Sequence, residues 1–224
     1  MKGKVTVVTG VLGALGQAVA EAAVAAGATV VGLDRASNAS LPGIEMAAAV
    51  DLGDAGAVRE SFGNLASRYG HIDALVNVAG GFSWETLGGG SIETWDRLYM
   101  INLRTAVNAC QAVLPYLPQA GGRIVNIGAA GAAQAGEGMG AYAASKSGVA
   151  RLTEALAEEL KPRDVTVNAV LPSVIDTPAN RIAMPDADFS KWVSPQSLAD
   201  VILFLLSERA RAVTGALIPV SGRV

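Results

Sequence analysis

Two side chains set the chemistry that this sequence can perform: Tyr142 and Lys146, in the run Tyr-Ala-Ala-Ser-Lys. The apolar positions Val149, Leu152, Leu156 and Leu160 continue the same segment with helical period, and a spacing of four puts the phenol and the amine on one helical face. An ammonium beside a phenol favours the phenolate, so the tyrosine pKa is expected to fall from its usual ~10 toward the range useful for proton transfer. A Tyr and a Lys at this spacing also occur as a plain surface pair, so the pair gains meaning only with a second reactant beside it.

That reactant is indicated near the start of the chain. Thr9-Gly10-Val11-Leu12-Gly13-Ala14-Leu15-Gly16 follows a β-branched run and opens a helical pattern. Glycines at such a turn let the backbone approach a pyrophosphate, whose charge meets the free amides of the helix N-terminus. Asp34 ends the next strand at the separation where a carboxylate accepts hydrogen bonds from an adenosine ribose. The same carboxylate repels a 2′-phosphate, which favours NAD(H) over NADP(H), with the neighbouring Arg35 acting in the opposite sense. Either feature alone is also met as a tight turn or a solvated carboxylate.

The elements that must position these residues can be read from the hydrophobic rhythm. Seven β-branched or apolar runs (KVTVVT, ATVVGL, MAAAV, DALVNV, RIVNIGA, DVTVNAVL and ALIPV) alternate with helical patterns over 16–26, 54–69, 92–116, 142–161 and 197–206. Repeated strand–helix–strand order predicts a doubly wound α/β fold, a parallel sheet of seven strands with helices on both faces. Its 224 residues suit one domain, 1–224. The Gly/Ala-rich 128–141 and the Pro-containing 172–196 are expected to be loops beside a site, since they follow strands.

Composition narrows the class. A net charge of −3 without long charge runs leaves no basic footprint for nucleic acid or anionic lipid. The apolar runs are broken by charges and glycines such as Glu21 and Gly27, so no membrane span is expected. One cysteine, Cys110, and no signal-peptide pattern point to a reducing cytoplasm, and nothing near Cys110 indicates metal ligation. His71 is expected to cap the end of a helix and Cys110 to fill core space. Phe82 and Trp84 have two readings, a stacking surface for a flat heterocycle or loop-anchoring hydrophobes, and Trp192 is either a lid or a packing residue.

Taken together, TGVLGALG, Asp34, Asp51-Leu52, Asn77-Val78-Ala79-Gly80, Asn102, Tyr142-x-x-x-Lys146 and Asn168-Ala-Val-Leu-Pro172 resemble, in order and over essentially the whole chain, the short-chain dehydrogenase/reductase family. The resemblance implies an oxidoreductase that moves hydride to or from a nicotinamide while Tyr142 moves a proton. It implies a cofactor site built from Gly10, Leu12, Gly13, Leu15, Gly16, Asp34, Asp51, Leu52, Asn77, Ala79, Gly80 and Ile127, with Lys146 gripping the nicotinamide ribose and the loop bearing Pro172, Val174 and Thr177 covering the ring. Asn102 would hold a proton-relay water, and Gly81, Phe82, Trp84 and Ala129 would face a small-molecule substrate. By the same likeness the apolar faces of 92–116 and 142–160 would pair in a homodimer or homotetramer.

Three positions depart from the family pattern. Ala14 replaces a glycine of the first turn, Ser173 replaces the glycine of a Pro-Gly pair, and Ala129 stands where a catalytic serine is usual. Ser145 and Ser147 are expected to turn away from the Tyr142/Lys146 face and so not to replace that serine. Loss of such a hydroxyl removes an interaction of order 2.7–4 kcal/mol from simple ketone reduction. The chain is here similar to the dihydropteridine reductases, a branch without the serine that reduces a quinonoid dihydropterin; Gly81-Phe82, Gly128-Ala129 and the stretch Leu171–Trp192 share in that likeness, whereas Asn102 does not. A carbonyl or alcohol oxidoreductase lacking the serine, and a non-catalytic dinucleotide-binding sensor, remain as alternatives.

Overall fold

A computed structural model describes residues 1–36, 40–47, 49–119 and 121–224. Seven strands form one wholly parallel sheet in the order β3-β2-β1-β4-β5-β6-β7: β1 Val5–Thr9, β2 Thr29–Leu33, β3 Glu45–Met46, β4 Ala74–Asn77, β5 Arg123–Ile127, β6 Thr166–Pro172 and β7 Leu217–Val220. The doubly wound sheet expected from the alternating runs is therefore present. The third strand takes in only the first residue of the MAAAV run, although the Ala47 amide still donates to the Gly32 carbonyl at 3.1 Å; Ala48 lies outside the described residues.

β1, β4 and β5 are buried at every position, which explains why they read as continuous apolar runs rather than alternating ones. One face is covered by α1 (Ala14–Ala25) and α7 (Pro195–Leu206). The other is covered by α2 (Ala55–Tyr69), α4 (Thr105–Val113) and α5 (Gly140–Leu160). Local chemistry starts two of these helices cleanly. Asp54 accepts hydrogen bonds from the amides of Gly56 and Ala57, and Ser194 accepts from Ser197 ahead of Pro195.

The segment 92–116 is not the continuous helix that its apolar pattern predicts. It runs as α3 (Ile92–Leu98), a π-helical turn over Tyr99–Arg104, α4, and a 3-10 turn from Leu114 to Tyr116. The wide turn contains buried Asn102, whose polar side chain finds partners outside the helix. Such π turns are frequent at functional sites. A further short helix, α6 (Pro178–Ala183), lies within the expected loop 172–196 and is started by Thr177, whose hydroxyl accepts from the Asn180 amide. Among the described residues no helix is long and apolar enough to cross a membrane.

Strand order reverses between β1 and β4, so the chain leaves their C-terminal ends toward opposite faces and opens a crevice there. The loops after β1, β2, β4, β5 and β6 all border it.

Candidate active site

The crevice is a cleft of about 1310 Å³ that runs from Asp34 at one end to Trp84 and Met184 at the other. It exceeds the ~300–1,000 Å³ typical of a pocket for one small ligand, leaving space for a dinucleotide and a second molecule.

Its floor is the glycine-rich turn. Gly10 has φ +63°, and a Cβ there would meet the Ala79 backbone at 2.8 Å; a Cβ at Gly16 would run into the Gly10 carbonyl. These two positions need glycine. Gly13 does not: a Cβ there would only touch the Gly10 oxygen at 3.4 Å, and Ala14, which replaces the family's glycine, is the exposed first residue of α1. The first turn of α1 has no side-chain cap and no acidic residue, so its amides are left for an anion. A cradle closed by glycine backbone and floored by uncapped amides fits a pyrophosphate.

Asp34 stands at the wall of the same end. Its carboxylate accepts from the Leu12 amide at 3.1 Å and the Arg35 amide at 2.8 Å, which orients it beside the turn. Asp51 accepts from the Gly53 amide at 2.9 Å in a tight loop, with Leu52 buried behind it; both line the cleft. Gly10, Gly13, Leu15, Gly16, Ala79, Gly80, Ile127, Pro172, Val174 and Thr177 are also in the lining.

Leu12 and Asn77 are not in the lining. Leu12 contributes its amide to Asp34. Asn77 is buried in the sheet, where its amide donates to Asn126 at 2.9 Å and to the Cys110 sulfur at 3.3 Å. Asn126 in turn donates to Thr153 on α5. This internal polar chain ties β4 through β5 to the helix that carries Tyr142. It also accounts for Cys110, a buried thiol pushed up to about 12 by desolvation and thus inert.

At the other end α5 brings Tyr142 and Lys146 to the cleft wall, as their spacing predicts. The Lys146 ammonium donates to the Ile127 carbonyl at 2.8 Å and is almost wholly buried; desolvation lowers its pKa to about 8. Burial pushes the Tyr142 phenol up from its ordinary value. The expectation of an acidic phenol is thus corrected for the protein alone, because desolvation by burial disfavours the phenolate. A protonated phenol at a cleft wall can donate its proton to a molecule bound there.

Asn102 lies behind this wall, not in it. Its carbonyl accepts from the Gly81 amide at 2.8 Å, while its amide donates to the Gly81 carbonyl and the Ser145 hydroxyl, each at 3.0 Å. Ser145 donates to the Tyr142 carbonyl at 2.7 Å. The Asn102 side chain therefore ties the loop after β4 to the tyrosine helix through Gly81 and Ser145. Ser147 donates to the Ala132 carbonyl at 2.9 Å. Neither serine offers its hydroxyl to the cleft, in keeping with their expected directions.

Gly81, Phe82, Trp84 and Ala129 line the cleft together with Tyr142. Phe82 meets the Tyr142 ring edge to face, centroids 5.0 Å apart. Three other assignments follow from contacts. Trp192 is absent from the lining and packs on Phe189 at 4.8 Å, so it is a packing residue and not a lid. His71 pairs with Asp73 at 3.1 Å instead of capping α2, which ends in Gly70 with φ +83°. Ser173 donates to the Ser221 carbonyl at 2.7 Å, which gives its departure from glycine a structural role in joining the loop after β6 to the chain end. The segment 172–196 is itself braced by a bidentate Arg181–Asp176 pair.

Sequence reasoning missed Met139, Asn180, Ala183 and Met184 as cleft residues. Met139 and Met184 carry no chemical signature, and Asn180 and Ala183 reach the cleft only because α6 folds back over it. The signal available for them was position, in the two loops expected beside the site.

Comparison with known proteins agrees with this geometry. Residues 4–187 match the family model described as short chain dehydrogenase. The chain is 32% identical to the 3-oxoacyl-[acyl-carrier-protein] reductase of Thermotoga maritima, covering 99% of this chain and 98% of that protein. It is 32% identical to L-xylulose reductase of Bos taurus, covering 99% and 96%. The ligand-free aldohexose dehydrogenase of Thermoplasma acidophilum superposes with a TM-score of 0.90 at 28% identity, covering 99% and 94% of the two chains. The chain belongs to the short-chain dehydrogenase/reductase family of oxidoreductases, which bind NAD(H) or NADP(H).

Proposed function

We propose that the chain reduces a planar conjugated acceptor of the quinonoid dihydropterin class at the expense of NADH. The observation that carries this reading is the composition of the wall around Tyr142. Ala129 places a buried methyl where the family's hydroxyl is usual, and Phe82, Trp84, Ala130 and Met139 complete an apolar surround. A ketone oxygen gathering charge here would have the phenol as its partner but no second side-chain hydroxyl at 129. A conjugated ring spreads that charge and depends less on a local donor.

When bound, NADH supplies the hydride, two electrons with one proton's nucleus. The chain supplies the second proton: the neutral Tyr142 phenol donates it to the acceptor, giving the tetrahydro product, and solvent returns it. Lys146 holds positive charge next to the phenolate so formed, and its bond to Ile127 fixes the amine in place. Asp34 faces the adenosine end and favours NADH, since a 2′-phosphate would bring negative charge against the carboxylate. A pure sensor has no use for a phenol at this wall.

A second reading, reduction of a keto group on a sugar or acyl substrate, is favoured by the names of the relatives at about one third identity. Oxidation of NADH is to be followed with a quinonoid dihydropterin and, separately, with a panel of ketones and sugars. Turnover of the dihydropterin at least about tenfold above the best ketone supports the first reading, and the reverse order establishes the second.

The proposal includes self-association. α3 and the π turn leave Ile92, Trp95 and Tyr99 exposed next to α5, a surface suited to a second copy.

A further inference from the structure

Trp84 is 58% exposed, yet its segment is held on both sides. On its N-terminal side Arg97 donates to the Ser83 hydroxyl at 2.5 Å, and both peptide groups of Gly81 are bonded to Asn102. On its C-terminal side the Glu85 amide donates to the Gly138 carbonyl at 2.9 Å. The indole itself lies against Gly138, where a Cβ would overlap its Cδ2, Nε1 and Cε2 atoms. Gly138 also has φ +70°, a backbone conformation that side chains resist, so position 138 is bare for two independent reasons. One part of the indole is thus covered by backbone, and Trp84 lines the same cleft as Phe82, Met139 and Tyr142.

A large aromatic that is seated and still more than half exposed is not anchoring its loop; the hydrogen bonds at Gly81, Ser83 and Glu85 already do that. We infer that Trp84, seated on Gly138, is the specificity-determining wall of the site and takes a fused-ring heteroaromatic acceptor by stacking, which presents the ring to Tyr142. This rests on the planar-acceptor reading above and adds the residue that makes the selection.

Calorimetry with 6,7-dimethylpterin, an aromatic ring with no quinonoid bond to reduce, added to the protein saturated with NAD+, tests the inference without turnover. The wild-type chain is expected to bind it, with Trp84→Ala weaker by about tenfold, the scale of one base–aromatic stack. Gly138→Ala should weaken binding in the same direction by unseating the indole. Trp192→Phe, outside the cleft, should bind as the wild type does. In steady state the Trp84→Ala loss with a quinonoid dihydropterin should fall in KM. Equal affinity in wild type and Trp84→Ala, or no pterin binding by the wild type, overturns the inference. Pterin binding that depends on Trp84 in a chain that reduces no dihydropterin leaves the wall in place and removes the reaction proposed above.

Discussion

Phe82 meets Tyr142 edge to face, ring centroids 5.0 Å apart and planes at 79°, so the phenol enters the cleft flanked by an aromatic ring on one side and by the Ala129 methyl in its wall. Nothing in this arrangement localises charge except the phenol itself and the ammonium behind it. The missing hydroxyl is therefore the feature most open to test. Ala129→Ser restores it, and removal of comparable donors costs ~10²–10³ in rate. The substitution is expected to raise kcat/KM for small ketones by tenfold or more and to change dihydropterin reduction by less than about threefold. Equal gains on both substrates would show that the wild-type site already handles a localised oxyanion.

Cofactor choice rests on one carboxylate. Asp34 is oriented by the Leu12 and Arg35 amides, and Arg35 lines the cleft beside it. Asp34→Ser removes the repulsion and leaves the guanidinium. The ratio of kcat/KM with NADPH to that with NADH should rise at least about tenfold, or about 1.4 kcal/mol. An unchanged ratio would move the discrimination elsewhere.

The buried amine of Lys146 leaves a signature in stability. Its pKa in the folded chain is about 8, below the ordinary 10.5, so between these values the unfolded chain binds the extra proton and stability rises with pH. Lys146→Met lacks this increment. Between pH 8 and 10 the wild-type chain should gain about 2 kcal/mol relative to Lys146→Met, read from urea unfolding at each pH. Parallel curves for the two proteins would mean that the amine is hydrated and not buried.

Much of this could be read in residue order. The fold followed from strands buried on both faces, and the cleft followed from Gly10, Gly16 and Asp34 at the ends of β1 and β2. What could not be read was which partner a polar side chain finds. Asn77 and Asn102 both belong to recognisable runs, but each turns inward, one to Asn126 and the other to Gly81 and Ser145, because a buried amide must meet donors and acceptors wherever the packing offers them. The break at Asn102 was equally hidden, since the apolar pattern of 92–116 continues through a π turn as well as through an α-helix. The phenol's raised pKa was illegible for a related reason: charge spacing along α5 is visible in sequence, and desolvation is not. The seat of Trp84 on Gly138 joins two loops fifty-four positions apart and has no local pattern.

The central claim is that the Tyr142 phenol hands a proton to the acceptor. It is tested most directly by kcat for NADH oxidation with a quinonoid dihydropterin, compared between the wild-type chain and Tyr142→Phe at saturating NADH. Removing a general acid costs ~10²–10⁴-fold, so a fall of at least about 100-fold is expected with NADH affinity kept within about threefold. A Tyr142→Phe chain that turns over within tenfold of wild type would contradict the account.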